Sequence, residues 1–374
     1  YADMENHKRR SGLMYEHEQY EPSKLRKQII LSILISLGTT IFIFSIISFR
    51  GISIDLSVFR VEWLVCGIIF LILAWIVDAV RVYLSSRAWN KTITFGQALK
   101  TVLSGYFMST ITPSATGGTP AQMYVLGRSG LTWGEAGSLV VVCGILYQVS
   151  LLLLIVVFIF LFDIRVALQG ILLKLLYTFA IFYSIIMFLL FYFLYRPQVL
   201  YRLTNWGINF VKRYFRKAKF SEAAVRAWVE EFFDDFRRGF SILFLKKPQY
   251  LAWNLGCYII YFILFFSVGF CILKALGVNS PYLRVISAQI PLYYIFGFIP
   301  TPGASGGVEL TVTSVFLRFA GPQRVGMYIL LWRIATFYFP LFLGGYAFFR
   351  IITGTKKPTV EKYCSQLPRE EKND

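Results

Sequence analysis

The chain has 374 residues, of which 56% are hydrophobic and 18% aromatic, and its formal net charge is +18 at pH 7. Its mean hydropathy is +0.59, and several apolar runs reach the ~20 residues that cross a bilayer as a helix, which indicates a polytopic helical membrane protein. The positive charge lies between the apolar runs, so it does not indicate nucleic-acid binding, and no nucleic-acid partner is predicted.

The apolar runs define the predicted membrane spans in chain order. A polar tail, 1–28, precedes the run 29–49, which is too long and too late to be a signal peptide and is predicted as an additional transmembrane helix. The other full spans are predicted at 61–84, 136–162, 171–195, 249–274 and 323–350. A polar C-terminal tail, 351–374, follows the last span.

Two further apolar segments are interrupted by a repeated motif. Residues 112–118 and 301–307 both follow the pattern T-P-x-A-x-G-G, 189 positions apart. Proline and paired glycines break a helix and free backbone groups, which inside a bilayer must face protein or a watery cavity. Each break is predicted as the turn of a re-entrant helical hairpin, 97–128 and 283–319, and such a repeated break indicates a transport site.

The lysines and arginines support this topology. With a cytoplasmic N-terminus and two re-entrant hairpins, 29 of the 38 basic residues fall on the cytoplasmic side: six in the tail, five in 81–128, twelve in 196–247 and six from position 350 onward. Six fall on the opposite side. This bias fits the positive-inside rule and predicts that both termini are cytoplasmic.

The offset between the motifs also relates the flanking spans. It carries 61–84 onto 250–273, and it carries 136–162 onto 325–351. The halves 61–162 and 249–350 therefore both contain a span, a hairpin and a span, entered from opposite faces, with 171–195 linking them. The predicted fold is an all-α membrane protein with about six full transmembrane helices and two re-entrant hairpins in an inverted repeat, which typically forms its substrate site where the halves meet.

The polar insert 196–248 separates the two halves. Its cluster 212–219 mixes basic residues with aromatic rings, which is typical of an amphipathic helix on the cytoplasmic surface, and anionic lipids are its predicted partners. The stretch 230–238 is predicted as a second helix with acid–base pairs four residues apart.

Each hairpin restarts its helix after the motif, deep in the membrane. Thr119 and Pro120 are predicted as the N-cap and first residue of the first restart, and the second restart is predicted at Val308. A helix N-terminus has free N–H groups and partial positive charge, so it favours anions. A phosphate-bearing headgroup would suit both restarts.

Arg333 is the ionisable residue whose position is energetically most demanding. It lies ten residues into the last span, about 15 Å deep, and a lone arginine there is costly. Glu309, in the first turn after the second motif, is its predicted partner. Three interpretations stay open: a role with the headgroup or in coupling, a structural salt bridge, or a glutamate that complements its own helix dipole.

Other polar residues in the spans have weaker predictions. Asp78 and Arg81 are three residues apart near the inner end of a span, which favours a local pair at the interface over a substrate role. Gln122 follows the first motif and either lines a cavity or packs between helices. The predicted substrate-binding residues are Thr112, Gly117, Gly118, Gln122, Thr301, Gly306, Gly307, Glu309 and Arg333.

Metal and enzyme signatures are missing from the sequence. Its five cysteines form no C-x-x-C motif, and the two histidines, His7 and His17, lie in the N-terminal tail. There is no Walker loop, H-E-x-x-H or G-x-S-x-G motif. No metal, no cofactor and no enzymatic activity are therefore predicted.

The motifs resemble those of a known family. Residues 113–126, 300–309 and 332–340 are similar to the first signature, the second signature and the last helix of the flippase-like transmembrane domain of lysylphosphatidylglycerol synthases. The resemblance covers roughly 30–350 and implies lipid translocation between leaflets. It implies a stand-alone member without the synthase domain. The motif positions that it carries over are Gly117, Gly118, Gln122, Gly306, Gly307, Glu309 and Arg333.

Together with the repeated breaks, the resemblance therefore favours a lipid transporter in a prokaryotic cell (inner) membrane. Its predicted substrate is an anionic or zwitterionic phospholipid or a lipid-linked sugar, whose headgroup passes through a groove at the repeat interface. Two alternatives stay open: a membrane-embedded transferase acting on a lipid-linked substrate, and a scaffold for a lipid or cell-wall synthase. The sequence does not indicate an oligomeric state.

Overall fold

A computed structural model describes residues 59–89, 92–162, 222–297 and 299–353, together with isolated positions and one short run between 30 and 202. Every regular element among these residues is a helix. Four helical stretches are long and apolar enough to cross a membrane: Val61–Trp89, Trp133–Phe158, Gln249–Ala275 and Gly307–Ile352. The all-helical membrane fold is thereby confirmed. The predictions for 1–28 and 354–374, and for most of 29–49, 171–195 and 196–221, lie outside the described residues.

The first half contains four α-helices. These are α1 (Val61–Ser86), α2 (Phe95–Ile111), α3 (Gly118–Arg128) and α4 (Trp133–Phe162). Thr94 and Gln97 form a capping box at the start of α2, because the Thr94 hydroxyl and the Gln97 side chain each bind the other residue's backbone N–H. The 17 residues of α2 reach about 25 Å, less than the ~30 Å hydrocarbon core.

One helix of the insert, α5 (Glu222–Ser241), precedes the second half. The described helices of the second half are α6 (Gln249–Ala275), α7 (Tyr282–Phe296), α8 (Gly307–Arg333) and α9 (Phe339–Ile352). A π-helical turn, Ile334–Tyr338, joins α8 to α9. Gly321 interrupts α8 with φ 68° and ψ 171°, a conformation open to glycine, and Pro322 begins the next helical stretch. The predicted hairpin end at 319 and span start at 323 flank this break.

The two halves pack on one another in a reciprocal way. Helices α1 and α6, which the offset of 189 relates, lie side by side, with Gly67 against Cys271 and the N–H of Arg60 bound to the carbonyl of Ala275 at 2.9 Å. They therefore run antiparallel, as an inverted repeat requires. In addition α9 packs on α2, and α4 packs on α7, so each half covers the hairpin of the other.

The insert helix α5 docks on the start of α4. Gly134 faces the Cβ of Asp235, and Gly239 faces Ser138, so neither glycine has room for a side chain. The Thr132 hydroxyl donates to Oδ2 of Asp235 at 2.8 Å. The stretch 230–238 is thus helical as predicted, and its contacts attach the insert to the first half.

Candidate functional site

The two motif loops share an unusual backbone conformation. Ser114 and Ala115 have φ values of 50° and 56°, and the residues 189 positions later, Gly303 and Ala304, have 57° and 53°. The N–H of Ala115 donates to the carbonyl of Thr112 at 3.3 Å, and that of Ala304 donates to Thr301 at 2.9 Å. Left-handed backbone is costly for non-glycine residues, so its recurrence at matched positions indicates that the sequence repeat is also a structural repeat.

The loops meet each other in an isolated antiparallel β-bridge between Pro113 and Pro302. Proline has no N–H, so the residues that flank each proline supply the donors. A Cβ on Gly303 would lie 2.3 Å from Cε2 of Phe337 and 3.2 Å from the carbonyl oxygen of Thr110. The second loop is therefore clamped between the first hairpin and the turn after α8.

The first loop is closed by Thr112. Its hydroxyl accepts the N–H of Gly117 at 2.8 Å and donates to the carbonyl of Met108 at 2.6 Å. Gly117 is the N-cap of α3, and Gly118 is its first residue. The predicted N-cap at Thr119 is wrong, because Thr112 binds the free N–H from across the loop and the helix starts one residue earlier than Thr119.

Gln122 lies inside the first hairpin. A Cβ on Gly105 of α2 would fall 2.4 Å from the Gln122 amide nitrogen, so this side chain packs across the neighbouring helix. Gln122 is predicted either to line a cavity or to pack between helices, and this contact corresponds to packing between helices.

In the second loop a carboxylate replaces the threonine as the group that binds the free N–H. Oε2 of Glu309 accepts the N–H of Gly306 at 2.7 Å. The Thr301 hydroxyl donates to the carbonyl of Ser305 at 2.7 Å. Gly307 begins α8 and packs closely on the side chain of Ile299. Glu309 is completely buried, with 0% exposure, so it needs a compensating charge.

Arg333 supplies that charge. Its Nη2 lies 2.7 Å from Oε1 of Glu309, and its Nη1 donates to the carbonyl of Gly303 at 3.1 Å. The rings of Trp332 and Phe337 lie 5.9 Å and 5.4 Å from the guanidinium carbon. The predicted ion pair is confirmed, and one buried arginine (3% exposed) therefore holds both the loop and the start of α8.

The pair leaves hydrogen-bonding capacity unused. Nη2 of Arg333 is ion-paired with Glu309, whereas Nε has no hydrogen-bond partner among the described residues. The buried hydroxyl of Ser305 also has none. Buried polar groups without partners are uncommon and call for an explanation.

The ion pair belongs to one half alone. The residues 189 positions before Glu309 and Arg333 are Pro120 and Gly144. The repeat therefore contributes two similar loops but a single arginine. Among the predicted substrate-binding residues, those of the first hairpin are uncharged, and the charged ones, Glu309 and Arg333, belong to the second half.

A second buried network, not among the predicted substrate-binding residues, joins the first hairpin to α1 and α6. Asp78 accepts from Arg81 Nε at 2.7 Å and from the Tyr106 hydroxyl at 2.6 Å. Arg81 donates to Asn254 at 3.2 Å and lies 4.4 Å over the Tyr258 ring. The predicted pair of Asp78 and Arg81 is present, but its contacts extend beyond α1, since both side chains are buried at 5% and 3% exposure and the network links three helices.

Two comparisons with known proteins bear on this site. A "UPF0104 membrane protein" of Archaeoglobus fulgidus is 24% identical over 323 residues, which cover 84% of this chain and 94% of that protein. The family described as "Lysylphosphatidylglycerol synthase TM region" matches residues 29–344, a range that contains both loops, Glu309 and Arg333. This membrane protein belongs to the lysylphosphatidylglycerol synthase transmembrane-region family.

Proposed function

We propose that the protein moves a lipid with a phosphate-bearing headgroup between the two leaflets of a prokaryotic cell membrane. The observation that carries this proposal is a buried arginine, Arg333, whose Nε has no partner among the described residues and which lies beside the bridge that joins the two motif loops. The family membership supports it, since the resemblance of the motifs implies lipid translocation.

The chemistry of the loops suits a phosphate group. An arginine fork binds phosphate oxygens through parallel N–H bonds. Nε of Arg333 has no partner among the described residues, and Nη2 is the donor for which a phosphate competes with Glu309. The Ser305 hydroxyl and the N-terminus of α8 lie in the same loop region and add donors and partial positive charge.

In the proposed topology the two hairpins are re-entrant. Helices α2 and α3 form one hairpin, and α7 with the part of α8 before Gly321 forms the other. The loops then lie inside the hydrocarbon core, where irregular backbone is tolerated only beside protein or a watery cavity. The four described spans and the two predicted at 29–49 and 171–195 complete the six full crossings, with both termini in the cytoplasm.

The structure corresponds to a closed state in this proposal, since Glu309 and Arg333 are 0% and 3% exposed. A headgroup phosphate competes with Glu309 for Arg333, and the loops part at the Pro113–Pro302 bridge to admit it. The acyl chains stay in the lipid throughout. No covalent step is needed, so the residues act by binding and by excluding water.

Transport by variants of the ion pair tests the proposal. Removing Arg333 alone leaves a buried carboxylate and costs about 3–5 kcal/mol of stability, so the informative variant is the neutral pair Arg333→Gln with Glu309→Gln. In liposomes that contain a fluorescent phosphatidylglycerol, the loss of a charge-assisted bond should lower the rate of leaflet exchange by at least about tenfold.

The matched control is Arg350→Gln, which removes an exposed arginine that lies 5.8 Å from the ring of Tyr346. It should exchange lipid at the wild-type rate. A neutral-pair variant that folds, as judged by size-exclusion chromatography, and also exchanges lipid at the wild-type rate would show that the ion pair is structural and would overturn the proposed role.

A further inference from the structure

A groove at one end of the α1–α6 pair lies away from the motif loops. It encloses about 310 Å³ and is lined by Leu84, Arg87, Gln249, Tyr250 and Trp253. This volume lies at the lower end of the range for small-molecule sites, ~300–1,000 Å³. The lining combines one cation, one amide and three apolar or aromatic side chains, which is the composition of a site for an amphiphile.

The groove lies where two membrane spans end. One candidate span is Val61–Trp89 and the other is Gln249–Ala275, so the lining residues fall at the end of the first and at the start of the second. The Lys247 ammonium donates to the Ala88 carbonyl at 2.8 Å, which places the two ends together. The groove is therefore at the level of the lipid headgroups, on the side predicted from the charge count to be cytoplasmic.

The charges of this region favour an anion. Arg87 is exposed. Among the described residues its contacts are the hydroxyl and the ring of Tyr83, the ring centroid lying 4.5 Å from the guanidinium carbon, and none is an ion pair. Lys246 is exposed three positions before Gln249, and Lys247 is bound beside Arg87 at Ala88. Basic pockets between helices at the cytoplasmic surface bind anionic headgroups.

The apolar part of the groove favours a lipid over a free anion. Trp253 is 62% exposed although it lies in a candidate membrane span. Leu245, just before the span, is 78% exposed. Tryptophan concentrates at membrane interfaces because one end of its ring system is apolar and the other can donate a hydrogen bond. A soluble phosphate would make no contact with these apolar surfaces, whereas the acyl chains of a lipid would cover them.

We propose that this groove binds an anionic phospholipid of the surrounding bilayer, with Arg87 at its phosphate and Trp253 beside its acyl chains. The site is separate from the motif loops and does not depend on the transport proposal. A lipid held here bridges the ends of α1 and α6, the two helices that the repeat relates, and so ties their association to the lipid composition of that leaflet.

Photolabelling of the full chain in nanodiscs tests this site. The probes are photoactivatable phosphatidylglycerol and phosphatidylcholine with identical acyl chains, and labelled peptides are located by mass spectrometry. Because a basic residue near an anionic surface contributes about fivefold in affinity, phosphatidylglycerol should label 83–89 and 249–253 about fivefold more than phosphatidylcholine. Arg87→Gln should remove that preference.

Two variants separate the contributions of charge and apolar surface. Arg350→Gln has the same Tyr-to-Arg spacing of four residues but does not line the groove, so labelling of the groove should not change. Trp253→Ala should lower labelling by both probes. The proposal is overturned if Arg87→Gln keeps the preference, if Arg350→Gln abolishes it, if Trp253→Ala labels as the wild type does, or if both probes label the wild type equally.

Discussion

Gly303 occupies a space that leaves no room for a side chain, in a left-handed backbone conformation that is costly for other residues. Its φ is +57°, and a Cβ there would fall 2.3 Å from Phe337. Its carbonyl accepts from Arg333 at 3.1 Å. The residue therefore joins three features of the site: the left-handed turn, the contact between the halves, and the position of the buried arginine.

Replacement of Gly303 by alanine should destabilise the protein by at least about 2 kcal/mol, since left-handed strain and overpacking add. The free energy of unfolding in mixed micelles measures this. Gly256→Ala in α6 is the matched control, because no atom lies within 4 Å of the Cβ that it would add, and it should be neutral or slightly stabilising. Equal stability of the two variants would contradict the tight fit at Gly303.

Single residues differ in how well their roles follow from the sequence. Glu309 and Arg333 are predictable because a charge in a membrane span needs a partner, and few partners exist nearby. Asn254 and Tyr106 are not predictable, since a lone amide and a tyrosine occur in many packed helices. The depth of Asp78 and Arg81 in the described structure follows from the helices that cover them, which only tertiary contacts reveal.

At the scale of helices, small residues determine which elements approach closely. A Cβ on Gly344 of α9 would lie 2.4 Å from the Leu103 carbonyl oxygen of α2. Helix association in membranes depends on such small residues, because lipid is as apolar as the side chains. The contact attaches the last helix of the second half to the hairpin of the first.

Gly344→Ala should therefore force α2 and α9 apart and lower stability by about 1–3 kcal/mol. Gly144→Ala in α4 provides the comparison, since no atom lies within 4 Å of its added Cβ, and it should change stability by less than about 0.5 kcal/mol. Thermal unfolding of both variants in one detergent measures the difference. A loss in Gly144→Ala as large as that in Gly344→Ala would argue against close packing as the cause.

Helix positions were predictable to within a few residues where proline and glycine mark the breaks, as in α2 and α3. The docking of α5 on α4 was not predicted. Its signal is a pair of glycines, Gly134 and Gly239, separated by more than a hundred residues. Nothing in a local pattern relates two such distant positions.

At the scale of the whole molecule, the two motif loops are joined across the interface of the halves. Pro113 and Pro302 face each other in an antiparallel bridge. A residue pair of this kind, in which neither member donates to the other, has Cα atoms about 4.5 Å apart, within the range that a disulfide spans.

Cysteines at both positions, Pro113→Cys with Pro302→Cys, should thus form a disulfide upon mild oxidation. The background is a variant that transports lipid and whose five native cysteines are replaced by alanine. If the loops must part to admit a headgroup, oxidation should stop lipid exchange in liposomes, and a reductant should restore it. Either single-cysteine variant should be insensitive to oxidant.

Failure of the pair to cross-link would contradict the juxtaposition of the loops. Cross-linking without any effect on lipid exchange would instead mean that the loops stay together while lipid moves. The two results therefore distinguish an error in the fold from an error in the proposed mechanism.

The sequence alone determined three properties, because each depends on a local or repeated pattern. Apolar runs show that the chain is a helical membrane protein, proline and glycine show where its helices break, and identical residues at a constant offset show that its halves repeat. The tertiary structure decided that the two loops touch at Pro113 and Pro302, and that Arg333 holds Glu309 and Gly303 together. Those contacts join residues that are up to 189 positions apart, and packing between helices, which no local pattern encodes, brings them within bonding distance.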